Sequence, residues 1–157
     1  MRELDVWPEI ESLYRAQFRQ FERVARAITG DRESAVEAVQ EGFADALRRS
    51  HQWARRGPLE GWVWRCVVNR ARKQRPRPTV ELLADGSEAG HGHGDSELRF
   101  RLAALPERQR LVVFLRYFAD LEYHEIAAAL GIETGTVSAT LHAAHANLRA
   151  GYEEVLA

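Results

Sequence analysis

Apolar residues return every three or four positions along most of this 157-residue chain, the period of a helix that buries one face. A first helix is predicted from about Pro8 to Ile28, with Pro8 suited to a first helical position and Gly30 to a stop. Asp31 offers an N-cap for a second helix reaching about Arg49, in which Val36, Val39, Phe43 and Leu47 make the buried stripe. The loop SHQWARRGP (50–58) breaks the pattern, and a third helix runs from Leu59 to Gln74 until Pro76 and Pro78 end it. Periodicity then disappears in TVELLADGSEAGHGHGD (79–95), a Gly-rich acidic stretch that reads as a flexible linker. Helices resume at about 96–104, 106–118, 122–130 and 134–152. With no strand alternation and no internal repeat, the prediction is an all-α chain of two small helical domains, 1–76 and 96–157, joined by a linker over 77–95.

Composition narrows the function classes. At 45% hydrophobic residues the chain can bury a core. One cysteine, Cys66, excludes an internal disulfide and a cysteine-based zinc cluster, and its apolar neighbours predict an inert buried thiol. His91 and His93 stand without further ligands, so no metal and no cofactor are expected. The charged N-terminus does not read as a signal peptide, and the longest apolar run, Ile126 to Ile132, is far short of the roughly 20 residues that span a bilayer. A soluble cytoplasmic protein is expected. No nucleophile–base pair, paired catalytic carboxylates or phosphate loop appears, so enzymatic activity is not expected. Net charge near zero conceals an asymmetry. Residues 1–78 hold 16 Arg/Lys against 11 Asp/Glu, and residues 79–157 hold 6 against 12. A nucleic-acid footprint is therefore expected on the first half rather than the second.

The segment YHEIAAALGIETGTVSATLH (123–142) has the steric pattern of a helix-turn-helix. Ala127 is small where two helices would cross, Gly131 permits a left-handed turn, and Val137 is the apolar residue that packs the second helix on the first. With LAALPERQRLVVFLRYFADLEYHEIA before it, the block resembles region 4 of extracytoplasmic-function sigma factors, the smallest subunits that direct bacterial RNA polymerase to promoters. The segment ESAVEAVQEGFADAL (33–47) resembles the family's region 2 signature, an acidic-Leu-Val-Gln-Glu-x-Phe pattern. Val39, Gln40, Glu41 and Phe43 match it, and Ala38 replaces the usual Leu. The resemblance implies that this helix docks on the clamp helices of the polymerase's largest subunit, with Gln40, Glu41 and Asp45 as contact residues.

QWARRGPLEGWVWRCVVNRARKQR (52–75) resembles the family's −10 recognition segment, with an aromatic at Trp53, a polar loop, then Trp62, Trp64, Arg65 and Asn69. Strand opening takes a base out of the stack at a cost of roughly a few kcal/mol, which a pocket must offset by stacking and hydrogen bonding. The resemblance implies that Trp53 stacks on a base and Asn69 reads a flipped base edge, while Trp62 is expected in the core. Arg55, Arg56, Arg65, Arg70, Arg72 and Lys73 supply a largely arginine set suited to single-stranded DNA.

The second half departs from the family pattern. Ser138, Thr140, Ala143 and His145 occupy four positions that are often basic in the family's recognition helix. Each missing phosphate contact removes about 0.9 from the salt slope of duplex binding. The candidate contacts to the −35 element are therefore Thr134, Thr136, Ser138, Thr140 and His142, a mildly polar set, with Asn147 further along. Leu111, Phe114, Leu115 and Phe118 are candidates for docking on the flap of the polymerase's second-largest subunit and also form the helix's own core stripe. The expected function is a sigma factor that binds core polymerase, promoter DNA and an anti-sigma factor. Two alternatives remain open, a sigma-like adaptor or decoy with weakened −35 binding, and a simple helix-turn-helix regulator.

Overall fold

The computed structural model describes residues 5–53, 57–74 and 93–156, and every regular element among them is an α-helix. The first half contains α1 (Trp7–Thr29), α2 (Arg32–Arg48), the single turn α3 (Ser50–Trp53) and α4 (Leu59–Lys73). The second contains α5 (His93–Ala104), α6 (Glu107–Tyr117), α7 (Tyr123–Leu130) and α8 (Thr134–Leu156). None of the helices is long and apolar enough to cross a membrane. The α3 turn lies inside the stretch predicted as loop, α8 runs past the predicted end at 152, and His93–Asp95 belong to α5 rather than to a linker. The rest of the predicted linker, with His91, lies outside the described residues.

The predicted punctuation operates as its chemistry dictates. Pro8 opens α1, and Gly30 closes it at φ 97°, its N–H donating to the Arg26 carbonyl at 2.9 Å. Asp31 caps α2 by accepting from the Ser34 N–H at 2.8 Å, which holds its carboxyl below the usual range. In the second half, Gly131 turns the chain at φ 67° between α7 and α8, with Ala127 and Val137 buried beside it. The Glu125 carboxylate accepts from the Glu122 N–H at 2.7 Å, one arm of a capping box that starts α7.

The first core is aromatic. Phe21 stacks on Trp64 with centroids 3.9 Å apart, and meets Phe43 edge-on at 4.9 Å. Such pairs add about 0.5–1.5 kcal/mol beyond the area they bury. Trp64 is fully buried, whereas Trp62, expected in the core, is only partly buried and packs against its edge. Residues two apart on a helix point about 200° apart, so only one of the two tryptophans can face α1.

The α2 stripe also differs from the prediction. Val36 and Leu47 are half-buried, and the buried face is mostly small: Ala35, Ala38, Gly42 and Ala46 beside Val39 and Phe43. The helix is sandwiched between α1 and α4 and buries both flanks. Phe43 meets α1, while Gly42 lies so close to α4 that a Cβ there would fall 2.6 Å from the Val67 Cα.

The two halves pack against each other, α4 lying along α7 and α1 touching α6. At the crossing, a Cβ on Gly61 would sit 2.8 Å from the Ala128 Cβ and 3.0 Å from the Glu125 carbonyl oxygen. Arg23 places its guanidinium 5.7 Å from the Phe118 ring centroid across the same junction.

Candidate nucleic-acid interface

On α4, Trp62, Arg65, Asn69 and Arg72 follow one another at helical spacing and share a face with Lys73. The end of α2 and the α3 turn complete a groove of about 550 Å³ against that face, contributing Asp45, Arg49 and Gln52, with Cys66 and Arg70 in the wall. Arg65, Asn69, Arg72 and Lys73 are exposed. The Arg49 guanidinium donates to the Gln52 side-chain carbonyl oxygen at 3.0 and 3.1 Å, which fixes both on the rim. Arg49 and Gln52 were missed in the sequence, although Asp45 and Arg49, one helical turn apart, set the direction of this face.

The groove has a buried floor. Arg70 grips Asp45 with two nitrogens, Nε on Oδ2 and Nη2 on Oδ1 at 2.9 Å, and reaches Glu41 with Nη1 at 3.5 Å. Arg48 adds a second cation to Asp45 at 2.6 Å. These contacts, the Arg70 hydrogen bond first, hold the Asp45 carboxyl down at about 2 against the burial that raises it. Asp45 was expected on the exposed docking face, but it is buried and paired across to α4, with 8% of its surface accessible. Arg70, expected as a DNA contact, turns Nε and Nη2 to Asp45 and stays partly accessible in the groove wall. Of the other two residues expected on the docking face, Gln40 is exposed and Glu41 half-exposed.

Trp53 does not line the groove. Its side chain is half-buried against the core, and its Nε1 donates to the Gly57 carbonyl at 3.0 Å. Arg55 and Arg56 lie outside the described residues. The aromatic partner that the groove does contain is Trp62.

Two groove cations also lie beside the second half. The Arg72 Nε lies 3.1 Å from the Glu107 carboxylate. The Arg65 guanidinium lies over the Gly131 turn, its Nη2 3.6 Å from where a Cβ would stand.

Along α8, Thr134, Ser138 and His142 are exposed, Thr136 and Thr140 half-buried. Two other polar side chains are tied down, His145 to the Tyr117 hydroxyl at 2.9 Å and Asn147 to Gln109 at 2.7 Å. Leu111, Phe114 and Leu115 are buried in the core of the second half, and only Phe118 of the proposed flap contacts is partly exposed.

This arrangement has counterparts among known proteins. Residues 13–77 match the family model for sigma-70 region 2, and residues 101–150 match that for sigma-70 region 4. The RNA polymerase sigma-E factor of Streptomyces coelicolor is 32% identical over 157 residues, covering 95% of this chain and 87% of that one. SigV of Bacillus subtilis is 30% identical over 133 residues, with 79% of each chain covered. The ECF sigma factor SigE of Mycolicibacterium smegmatis is 29% identical, covering 90% of this chain and 61% of its own. Among solved structures, CnrH in complex with the cytosolic domain of CnrY shares the fold with a TM-score of 0.72, at 19% identity and covering 94% of this chain and 89% of that one. Two helical domains in this order, each matching its own family model, place the chain in the extracytoplasmic-function group of the sigma-70 family of RNA polymerase sigma factors.

Proposed function

We propose that this sigma factor docks on the clamp helices of core RNA polymerase through Gln40 and Glu41 of α2 and holds the single-stranded −10 element in the groove beside α4. The observation that carries the reading is the groove itself. It sets Asn69 among Arg49, Arg65, Arg72 and Lys73, with Trp62 as an apolar wall. Guanidinium groups grip phosphates and stack on bases, and a neighbouring amide can read a base edge. Arg55 and Arg56 extend the same cationic run in sequence. The protein acts by binding alone, with polymerase supplying the chemistry, and works where polymerase works, in the cytoplasm. An anti-sigma factor is a further partner in this reading, supported by the fold shared with CnrH, which was solved with a bound protein domain.

A pull-down with core polymerase followed by run-off transcription tests the reading. The chain should be retained and should yield a promoter-dependent transcript; a simple regulator would not be retained. Asn69→Ala should weaken binding to a single-stranded non-template −10 oligonucleotide about tenfold, the loss of roughly 1.4 kcal/mol of base-edge contact, with polymerase retention unchanged. Unaltered oligonucleotide affinity would remove Asn69 from the site.

A second reading, a sigma-like adaptor with little −35 affinity of its own, is favoured by the cation-poor surface of α8. The exposed Ser138 and His142 carry no fixed charge, and His145 and Asn147 already have partners. In the full chain, placing Arg at positions 138, 140 and 143 should raise affinity for duplex −35 DNA and steepen its salt slope by about 0.9 for each phosphate newly neutralised. Fluorescence anisotropy across a salt series reads both. Tight, sequence-specific duplex binding by the unmodified chain would exclude the adaptor.

A further inference from the structure

We propose that Arg49 makes Gln52 a donor-only reader at the α3 end of the groove, so that the base held there is one with two adjacent acceptors, guanine or cytosine, and not adenine. The inference rests on the groove reading above and deepens it by naming the bases that this part of the groove accepts.

A glutamine side chain is ordinarily suited to adenine, because its carbonyl oxygen accepts from N6 while its amide nitrogen donates to N7. That pairing is closed to Gln52. Arg49 Nε and Nη2 both donate to Gln52 Oε1, at 3.1 and 3.0 Å. A guanidinium has donors and no acceptor, so the amide can face it only with its oxygen. The same two residues are joined through the main chain, where the Gln52 N–H donates to the Arg49 carbonyl at 2.8 Å and keeps the side chains within reach of each other. What Gln52 has left to offer is its amide nitrogen, two N–H donors and no acceptor. Arg49 retains Nη1 for a further bond beside it.

Elsewhere in the groove, acceptors are scarce. The Asp45 carboxylate is buried and already takes two hydrogen bonds from Arg70 and one from Arg48. Arg65, Arg72 and Lys73 only donate. The Asn69 amide is exposed and can turn to suit either kind of edge, so it sets no preference. A base seated against Gln52 and Arg49 therefore meets donors alone. Guanine answers them with O6 and N7, and cytosine with N3 and O2. Adenine has its N6 amine between N1 and N7, and thymine has N3–H between O2 and O4, so neither offers two acceptors side by side. An adenine amine set against the Gln52 N–H leaves both donors without a partner, and a site built to hydrogen-bond one edge rejects another on that ground.

Single-stranded thymidine oligomers of about ten nucleotides, within the usual span of such grooves, test this when only the central base is varied. Fluorescence anisotropy with the full chain should show central guanine or cytosine binding about fivefold more tightly than central adenine, with adenine no better than thymine. An advantage for cytosine alone identifies N3 and O2 as the acceptor pair. An advantage for guanine should disappear with 7-deazaguanine, which lacks N7. A guanine advantage that survives that change, or adenine bound as tightly as guanine and cytosine, would overturn the assignment. Arg49→Met frees the Gln52 amide to turn. Affinity should then fall for every oligomer through the lost charge, while adenine rises to equality with guanine and cytosine. A purely cationic or structural role of Arg49 would leave that ratio unmoved, and an unmoved ratio would overturn the proposal. Arg49 and Gln52 are both exposed, so the substitution leaves the core intact. If the natural chain binds none of the oligomers, the groove reading falls and the base preference with it, whereas binding that is blind to the central base removes the preference alone.

Discussion

Gly42→Ala is expected to lower the melting temperature by roughly 5–10 °C, equivalent to about 2–3 kcal/mol for a chain of this size. The added methyl would lie 2.6 Å from the Val67 Cα, 2.7 Å from its Cγ2 and 2.9 Å from its backbone nitrogen. A rotamer change relieves only the side-chain clash, so α2 and α4 have to separate, and the groove between them changes shape. The sign is informative because helix propensity alone predicts the opposite, about 1 kcal/mol of stabilisation from replacing a helical glycine by alanine. Gly135, near the start of α8, has nothing within 4 Å of its Cβ position and serves as the control: Gly135→Ala should be neutral or stabilising. Thermal denaturation of the two variants side by side decides the matter. Equal or raised stability in Gly42→Ala would mean that the helices do not cross at backbone distance.

Asp45→Asn is expected to cost about 2 kcal/mol at pH 7, and the penalty should fade in acid. The Asp45 carboxyl sits at about 2 instead of 3.8, chiefly because Arg70 donates two hydrogen bonds to it. Each pH unit of that separation corresponds to about 1.4 kcal/mol. Because the folded value is depressed, the stabilisation is complete above about pH 4 and disappears as the pH falls toward 2. The natural chain should therefore lose stability across that window, while Asp45→Asn should be flatter there. Urea unfolding from pH 7 down to pH 3 measures the difference. Parallel stability–pH curves for the two proteins would show that the Arg70 pairing contributes nothing to the folded state.

What the sequence revealed was whatever depends on near neighbours. Pro8, Gly30, Asp31 and Gly131 act through groups within four or five residues, and each ends or starts a helix where its chemistry predicts. The phase of a helix about its own axis is harder to read. Trp62 and Trp64 are equally apolar, and only the position of Phe21 on a different helix determines which is buried. Asp45 was misplaced for a related reason. An acid on a helix looks solvated until its partner is known, and Arg70 lies 25 residues away. Arg65, Asn69, Arg72 and Lys73 were named from the resemblance and the basic run, and the structure sets all four on one helical face of the groove. Its rim was not foreseen, because Arg49 stands at the very end of one predicted helix and Gln52 in the stretch where the periodicity breaks. The packing of the two halves left no local trace either. Gly61 and Ala128 are small residues unremarked in their own segments, and become significant only face to face.

The single sulfhydryl carries one more consequence. Burial pushes the Cys66 thiol up to about 11, so at neutral pH only about one molecule in ten thousand carries a thiolate there. Peroxide and disulfide reagents attack that form, and little of it is within their reach while α4 stays seated. The rate at which a thiol probe labels this protein is thus a clock for spontaneous opening of the first core, ticking once for each excursion that lifts α4 away. Loosening α2 from α4 should speed the clock, and partners that clamp the first half should slow it, with no engineered residue in the protein.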